Sequence, residues 1–199
     1  MKKLLYITFT LLFFSNICVY ASNDVVSFDL GISSGISFYG NNYIVEQNNS
    51  VNNGEFNRVS AGINGDISFK LASPLRFIVG LDLLADFVWG GNSYFNHLDY
   101  AFYWGIKIYP NLYGLNTSFS YLLGRRTDFI SNEENGSYIE SSAWGNGFRI
   151  SLEYDFAYGR GNVFAPAVGC YYRCVPRGDN YWDNILALYI NFSFWLLDK

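Results

Sequence analysis

The residues able to carry out chemistry are few. His97 is the single histidine in 199 residues, and Asp99 follows two positions later. In a strand both side chains point the same way, so contact between the imidazole and a carboxylate is within reach. No serine stands at a spacing that would complete a nucleophile set, and no nucleophile is evident. A solvated histidine at a strand end is the simpler reading. The sequence shows no metal-ligand cluster, phosphate-cradling glycine loop or nucleophile elbow, so neither a metal nor a cofactor is expected. Cys170 and Cys174 sit four residues apart in a chain that reads as exported, where disulfides can form. On a continuous strand their Cα atoms would be separated by about 13 Å, too far for a disulfide, so they can bond only if the chain turns after Tyr172.

The remaining chemistry is fixed charge. Asp29, Asp66, Asp82, Asp86, Asp99, Glu153 and Asp155 stand on the parity opposite the bulky apolar residues of the strands, as do Arg58, Lys70, Arg76, Lys107, Arg126, Arg149 and Arg173. The two signs nearly balance. Gathered in one enclosed space, such groups must pair or be hydrated, because an unpaired ion in a low dielectric is costly.

Composition narrows the setting for these groups. Aromatic residues make up 20% of the chain and charged residues 15%, with Lys+Arg 13 against Asp+Glu 17. A mildly acidic chain of low charge is a poor polyanion binder, since nucleic-acid affinity rests on clustered Lys and Arg. The size fits one domain or one barrel. Met1 to Ala21 read as a secretory signal, with Lys2 and Lys3, an apolar run from Leu4 to Phe14, and Val19-Tyr20-Ala21 before Ser22. The mature domain would then be 22–199, with 11 basic and 17 acidic residues and a net charge of −6. Apolar stretches beyond Phe14 are short or interrupted by charge, which excludes spanning helices on length.

From Val25 onward the pattern has period two, the signature of strands with different environments on their two faces. Eight strands are predicted: Val25–Tyr39, Arg58–Leu71, Leu75–Gly90, His97–Tyr109, Leu112–Arg126, Ile139–Phe156, Asn162–Cys174 and Asn184–Leu197. The connections alternate in length. Ala72-Ser73-Pro74, Pro110-Asn111 and Ala157–Gly161 are short. Gly40–Gly54, Gly91–Asn96, Thr127–Tyr138 and Val175–Asp183 are mostly longer and rich in Asn, Ser and Gly. Outer-membrane barrels show this asymmetry, with short periplasmic turns and longer outer loops.

Volume settles which face points in. The interior of an eight-stranded barrel is filled by side chains or one small ligand. Phe28, Phe38, Phe69, Phe77, Phe87, Trp89, Phe102, Trp104, Phe119, Trp144, Phe148, Phe192 and Phe194 would overfill it, whereas the Gly, Ser and Asn of the opposite parity would fit. The bulky set is therefore expected to face outward. So large an apolar surface exceeds what a soluble monomer tolerates, which makes lipid the surrounding medium. Only helices and closed barrels satisfy their backbones there. Tyr39, Trp89, Tyr100, Tyr113, Trp144, Tyr154 and Tyr172 stand near strand ends, as aromatic girdles do.

On this pattern, over essentially the whole mature chain, the sequence resembles the small eight-stranded bacterial outer-membrane proteins of the OmpX, OmpW and OmpA-barrel class. The resemblance implies an all-β, antiparallel, up-and-down transmembrane barrel in the outer membrane of a double-membrane envelope. It also implies assembly-machinery recognition of a terminal aromatic; here Phe192-Ser193-Phe194-Trp195 is displaced from the end by four residues. OmpX-like members imply a lumen plugged by cross-strand ion pairs, and a narrow water-lined channel for ions or small molecules is the alternative. OmpW-like members imply a more hydrophobic lumen than these charges allow. The lipid A-modifying barrels, built around a His with a Ser and an acid, make an enzyme the distant third. The outer loops carry Tyr43-Ile44-Val45, Tyr94-Phe95, Tyr181-Trp182 and the acidic Glu133-Glu134, and are the place for an extracellular ligand or host surface.

Overall fold

The computed structural model describes residues 26–196 apart from 73, 111–113, 133–135, 157, 159–163 and 178–180. The signal segment, Tyr113 and Glu133-Glu134 lie outside the described residues. The elements run β1 (Val26–Tyr39), α1 (Asn42–Ser50), a 3-10 turn (Val51–Gly54), β2 (Asn57–Ala72), β3 (Leu75–Gly90), β4 (Ser93–Ile108), β5 (Leu115–Asn132), β6 (Gly136–Ser141), β7 (Gly145–Asp155), β8 (Phe164–Pro176) and β9 (Trp182–Leu196).

All neighbours pair antiparallel, and β1 closes the sheet on β9 from Val26↔Leu196 to Tyr39↔Asp183. Because β6 and β7 both pair with β5, together they form one stave, giving a closed barrel of eight. Closure removes the sheet edge around the middle of the wall; toward the loop end β6 pairs with β5 alone, and the β1–β2 ladder stops at Ser33↔Gly62. The row of facing residues Arg125, Tyr100, Leu83, Ile63, Ile32, Ile190, Val168, Tyr154 and Leu115 circles the barrel and returns to β5 ten residues lower. This stagger is what strand tilt requires for closure.

The sixth stave departs from the expected continuous strand. Thr127 pairs with Ser141 and Gly124 with Gly145, so β5 advances three residues while its partner advances four. The extra residue is a β-bulge, and it swaps the faces of the stave. Above it the exposed Ser137, Ile139 and Ser141 are odd-numbered; below it the exposed Asn146, Ile150, Leu152 and Tyr154 are even-numbered. The sequence pattern from Ile139 loses phase for this reason.

Two expected loops are instead strand. β3 and β4 meet in a two-residue turn, Gly91-Asn92, between Gly90 and Ser93, and Gly91 takes φ +56, which a side chain resists. Tyr94 and Phe95 therefore lie on β4, with Tyr94 outward and Phe95 buried. β5 likewise continues to Asn132, beyond the Arg126 expected as its end.

Phe28, Trp89, Phe102, Trp104, Phe119, Phe192 and Phe194 are exposed on the wall, and Phe69, Phe77 and Phe148 share that face half-buried. Tyr39 was expected in a girdle but is turned inward. Tyr103, Tyr109, Tyr171 and Tyr189 are also interior. Each of these tyrosines sends its hydroxyl to an interior carboxylate, whereas the buried Phe95 packs under α1 with Tyr39, Ile44 and Val88. Gly80 and Gly169 make room for them: a Cβ at either position would overlap the ring of Tyr103 or Tyr189, respectively.

Candidate functional site

The chemistry of the molecule is concentrated inside the barrel, where inward-facing positions place acids and bases in successive layers. The end bearing the β2–β3, β4–β5 and β7–β8 connections also holds Val26 and Leu196; it is called here the turn end, and the opposite one the loop end.

Near the turn end, Lys107 projects from β4 between three carboxylates, Asp29 at 3.3 Å, Glu153 at 3.1 Å and Asp66 at 3.8 Å. Its side chain is only 3% exposed, so the ammonium has exchanged its water shell for these acids. Ser193 hydrogen-bonds Asp29, the Tyr103 hydroxyl donates to Asp66 at 3.1 Å, and Tyr189 donates to Glu153 at 3.0 Å. Arg76 donates to Ser68 Oγ at 2.7 Å and Tyr109 to Asp155 at 3.3 Å. Lys70, on the same face, is half-buried at this end.

At the waist, Asp82 lies 3.3 Å from Arg173 and 4.0 Å from Arg149, and accepts from Tyr171 at 3.1 Å. The Arg149 guanidinium lies over the rings of Tyr103 at 4.6 Å and Tyr171 at 4.4 Å. Desolvated cation–π contacts of this kind are worth about 2 kcal/mol. Arg173 also reaches Asp99 at 3.6 Å, linking the waist to the next layer.

Toward the loop end, Arg177 joins Asp99 at 2.6 Å to Asp183 at 2.7 Å, and Asp183 is shared with Arg126. Arg126 Nε reaches Asp128 at 2.8 Å. Asp86 accepts from Tyr39 at 2.7 Å and from Arg58 through two nitrogens, at 2.9 and 2.6 Å. Arg58 is at the rim, its side chain 35% exposed, rather than enclosed. Sequence reading placed Asp128, Asp183 and Arg177 in loops and so did not reach them.

His97 corrects the reading of a solvated strand end. It is fully buried, and its carboxylate is Asp128, 2.6 Å from Nδ1, while Asp99 turns to Arg173 and Arg177. Nε2 faces the side-chain amide of Asn48 at 3.1 Å, and the rings of Tyr39 and Phe95 pack at 4.4 and 4.3 Å. No serine or cysteine hydroxyl or thiol takes part in this contact set among the described residues.

The partner Asn48 belongs to α1, which lies across the loop end. Asn41 caps the helix, its side chain accepting from the Tyr43 N–H at 2.9 Å. Ile44 is buried on its inner side, and Val51 just beyond it, packed with Tyr39, Val88, Phe95 and Ile130. Tyr43 and Val45 remain exposed on its outer side.

Cys170 and Cys174 are both free, on one unbroken β8. The turn after Tyr172 that a disulfide needed does not occur. Clefts of about 670 and 530 Å³ lie against apolar wall residues such as Val168, Leu188, Leu81 and Phe102. Among the described residues no group of His, Cys, Asp and Glu is arranged to hold a metal ion.

No protein-family model matches the sequence, and no curated protein matches it significantly. Among solved structures, the chain is similar to Ail, the attachment invasion locus protein of Yersinia pestis, with a TM-score of 0.60 at 10% identity, covering 86% of this chain and 99% of that one. The Ail complex with the heparin analogue sucrose octasulfate gives 0.59 at the same identity and coverage. OprG from Pseudomonas aeruginosa gives 0.47 at 9% identity, covering 88% and 97%. The fold is that of the small eight-stranded outer-membrane barrels.

Proposed function

We propose that the chain is a non-enzymatic integral protein of the outer membrane of a double-membrane bacterium, with a lumen plugged by ion pairs and loops that present an interaction surface. The belt of exposed Phe, Trp, Leu and Ile around the wall supports the membrane placement, because water would not tolerate it. The observation that carries the plug is Arg149, a buried guanidinium held at the waist between two tyrosine rings and beside Asp82. With Lys107 below and the Asp99, Asp183 and Arg126 group above, charged pairs follow one another along the lumen. An ion crossing would have to displace them.

The loop end suits a partner bound through aromatic and amide groups. Tyr43, Val45, Tyr94, Ile139, Tyr181 and Trp182 are exposed there. Ail was crystallised with a heparin analogue; here Arg58, Arg126 and Arg177 at that end are each engaged by carboxylates, which disfavours a polyanion.

Planar-bilayer recording of the refolded mature protein tests the plug. A silent membrane is expected, and reproducible open steps would replace this reading with a passive channel. Lipid A acyl composition should be the same whether the protein or its His97→Ala variant is expressed; a change that depends on His97 would make it an enzyme.

A further inference from the structure

Among the described lysines and arginines of the strands, Arg125 is the one that points out of the wall. Its neighbours on β5 alternate, with Gly124 and Arg126 buried and Leu123, Tyr121 and Phe119 on the outward face below it. Above it the same face becomes mixed, with hydroxyl pairs on either side of Phe129 and the facing Ile139. Thr127 and Ser141 share a hydroxyl contact at 3.1 Å, and Ser137 donates to Ser131 at 2.8 Å.

Arg125 thus stands where polar side chains first interrupt the apolar face of this stave. The row of facing residues that begins at Arg125 closes at Leu115 on the turn end, ten residues down the same strand. At about 3.3 Å per residue and a tilt near 40°, that is about 25 Å of height, the thickness of the apolar band of such barrels.

The bulge holds the side chain there. Ser142, in the extra turn of chain, is fastened to Arg126 by two 2.9 Å bonds, one to the Arg126 carbonyl from its N–H and one from the Arg126 N–H to its Oγ. Its own carbonyl, released from the ladder, accepts from Arg125 Nε at 3.1 Å. That bond orients the guanidinium and leaves its other nitrogens uncommitted to a carboxylate among the described residues. Trp144, 47% exposed, packs edge-on against Tyr100 at 5.7 Å, and Tyr100 faces Arg125 across the β4–β5 ladder. Asn146, exposed on β7, pairs with Leu123 one step below.

A fixed cation whose two NH2 groups meet no carboxylate among the described residues, with an amide on the next strand and indole and phenol rings at its flank, matches a phosphate carried by a lipid at headgroup depth. We infer that Arg125, with Asn146 and the Trp144–Tyr100 pair, binds the phosphate of an anionic lipid headgroup in the outer leaflet. The inference rests on the membrane placement above and is independent of whether the lumen is plugged.

Brominated lipids that quench tryptophan fluorescence test it. The refolded full barrel is placed in phosphatidylcholine vesicles carrying a minor fraction of brominated phosphatidic acid, or of brominated phosphatidylcholine, with Trp144→Phe assigning the signal. The phosphatidic acid is expected to be enriched about fivefold at Trp144, the effect of one basic residue near an anionic surface. Arg125→Gln should remove the enrichment and Arg125→Lys retain part of it. Equal quenching by the two lipids, or an Arg125→Gln variant that still enriches, overturns the inference. So does full displacement by inorganic phosphate, which would make the site one for free anions. Circular dichroism in pure phosphatidylcholine reads the membrane placement separately: failure to insert there condemns the placement, not the lipid selectivity alone.

Discussion

His97 and Asp128 face each other directly across the β4–β5 ladder and are joined by a 2.6 Å contact from Nδ1 to Oδ1. The pair connects the wall to the cap. On one side Asp128 is held by Arg126, and on the other the ring reaches Asn48 of α1. A ring protonated on Nδ1 alone is satisfied if the Asn48 amide presents its nitrogen to Nε2; an imidazolium is satisfied by the amide oxygen.

α1 should therefore loosen when that link is cut. Asn48→Ala removes one hydrogen bond, worth about 1 kcal/mol, so amide exchange within residues 42–50 should quicken about fivefold while the strands stay protected. Unchanged exchange across α1 would mean that Ile44 and Val51 hold the cap alone.

Lys107 offers a sharper test of the interior. Lys107→Met keeps the length of the side chain but leaves Asp29, Asp66 and Glu153 without their cation. Breaking a buried pair in this way typically costs about 3–5 kcal/mol. Unfolding in urea from lipid vesicles should show a midpoint lowered accordingly. A midpoint equal to that of the parent protein would contradict the assignment of Lys107 as the hub of the lower layer.

Gly80 and Tyr103 should behave as a pair. Gly80→Ala pushes a methyl into the Tyr103 ring, and overpacking of this kind costs about 1–3 kcal/mol. Adding Tyr103→Leu removes the overlap with the ring but not that with the Gly65 carbonyl oxygen, so the double variant should lose less than the two single losses together while staying below the parent. Strict additivity in that cycle would show that the two sites do not touch.

The cysteines give a chemical check. Protein cleaved after Ala21, unfolded without reductant, should titrate two thiols per chain, because Cys170 and Cys174 are too far apart along β8 to bond. A count of zero would sink the register assigned to β8.

The barrel was legible in the sequence because its information is local: alternate residues of one strand must meet lipid or lumen, and each strand declares this alone. β3 illustrates it, with Leu75–Gly90 expected and found. The interior contacts were less legible because they depend on which strands face one another across the lumen. Asp29 and Lys107 are 78 residues apart, and nothing in either strand announces the other. Tyr39 misled because its place near a strand end suggested a girdle, although it shares the inward parity of Asp29 and Ser37 on β1; inside, its hydroxyl meets Asp86. In the sixth stave, expected as one strand over Ile139–Phe156, the break at 142–144 was not legible, since one additional residue reverses the phase on which the reading depends.

The seam between β1 and β9 has one more implication. Fourteen consecutive residues of the first strand are matched to the last, from Val26 to Tyr39. Every stave in between must already be in register before that clasp can fasten, so the molecule has no stable half-built form in which a subset of hairpins stands alone. Contacts so distant along the chain make for slow maturation. A nascent copy must therefore be kept from aggregating in transit until its last strand has arrived.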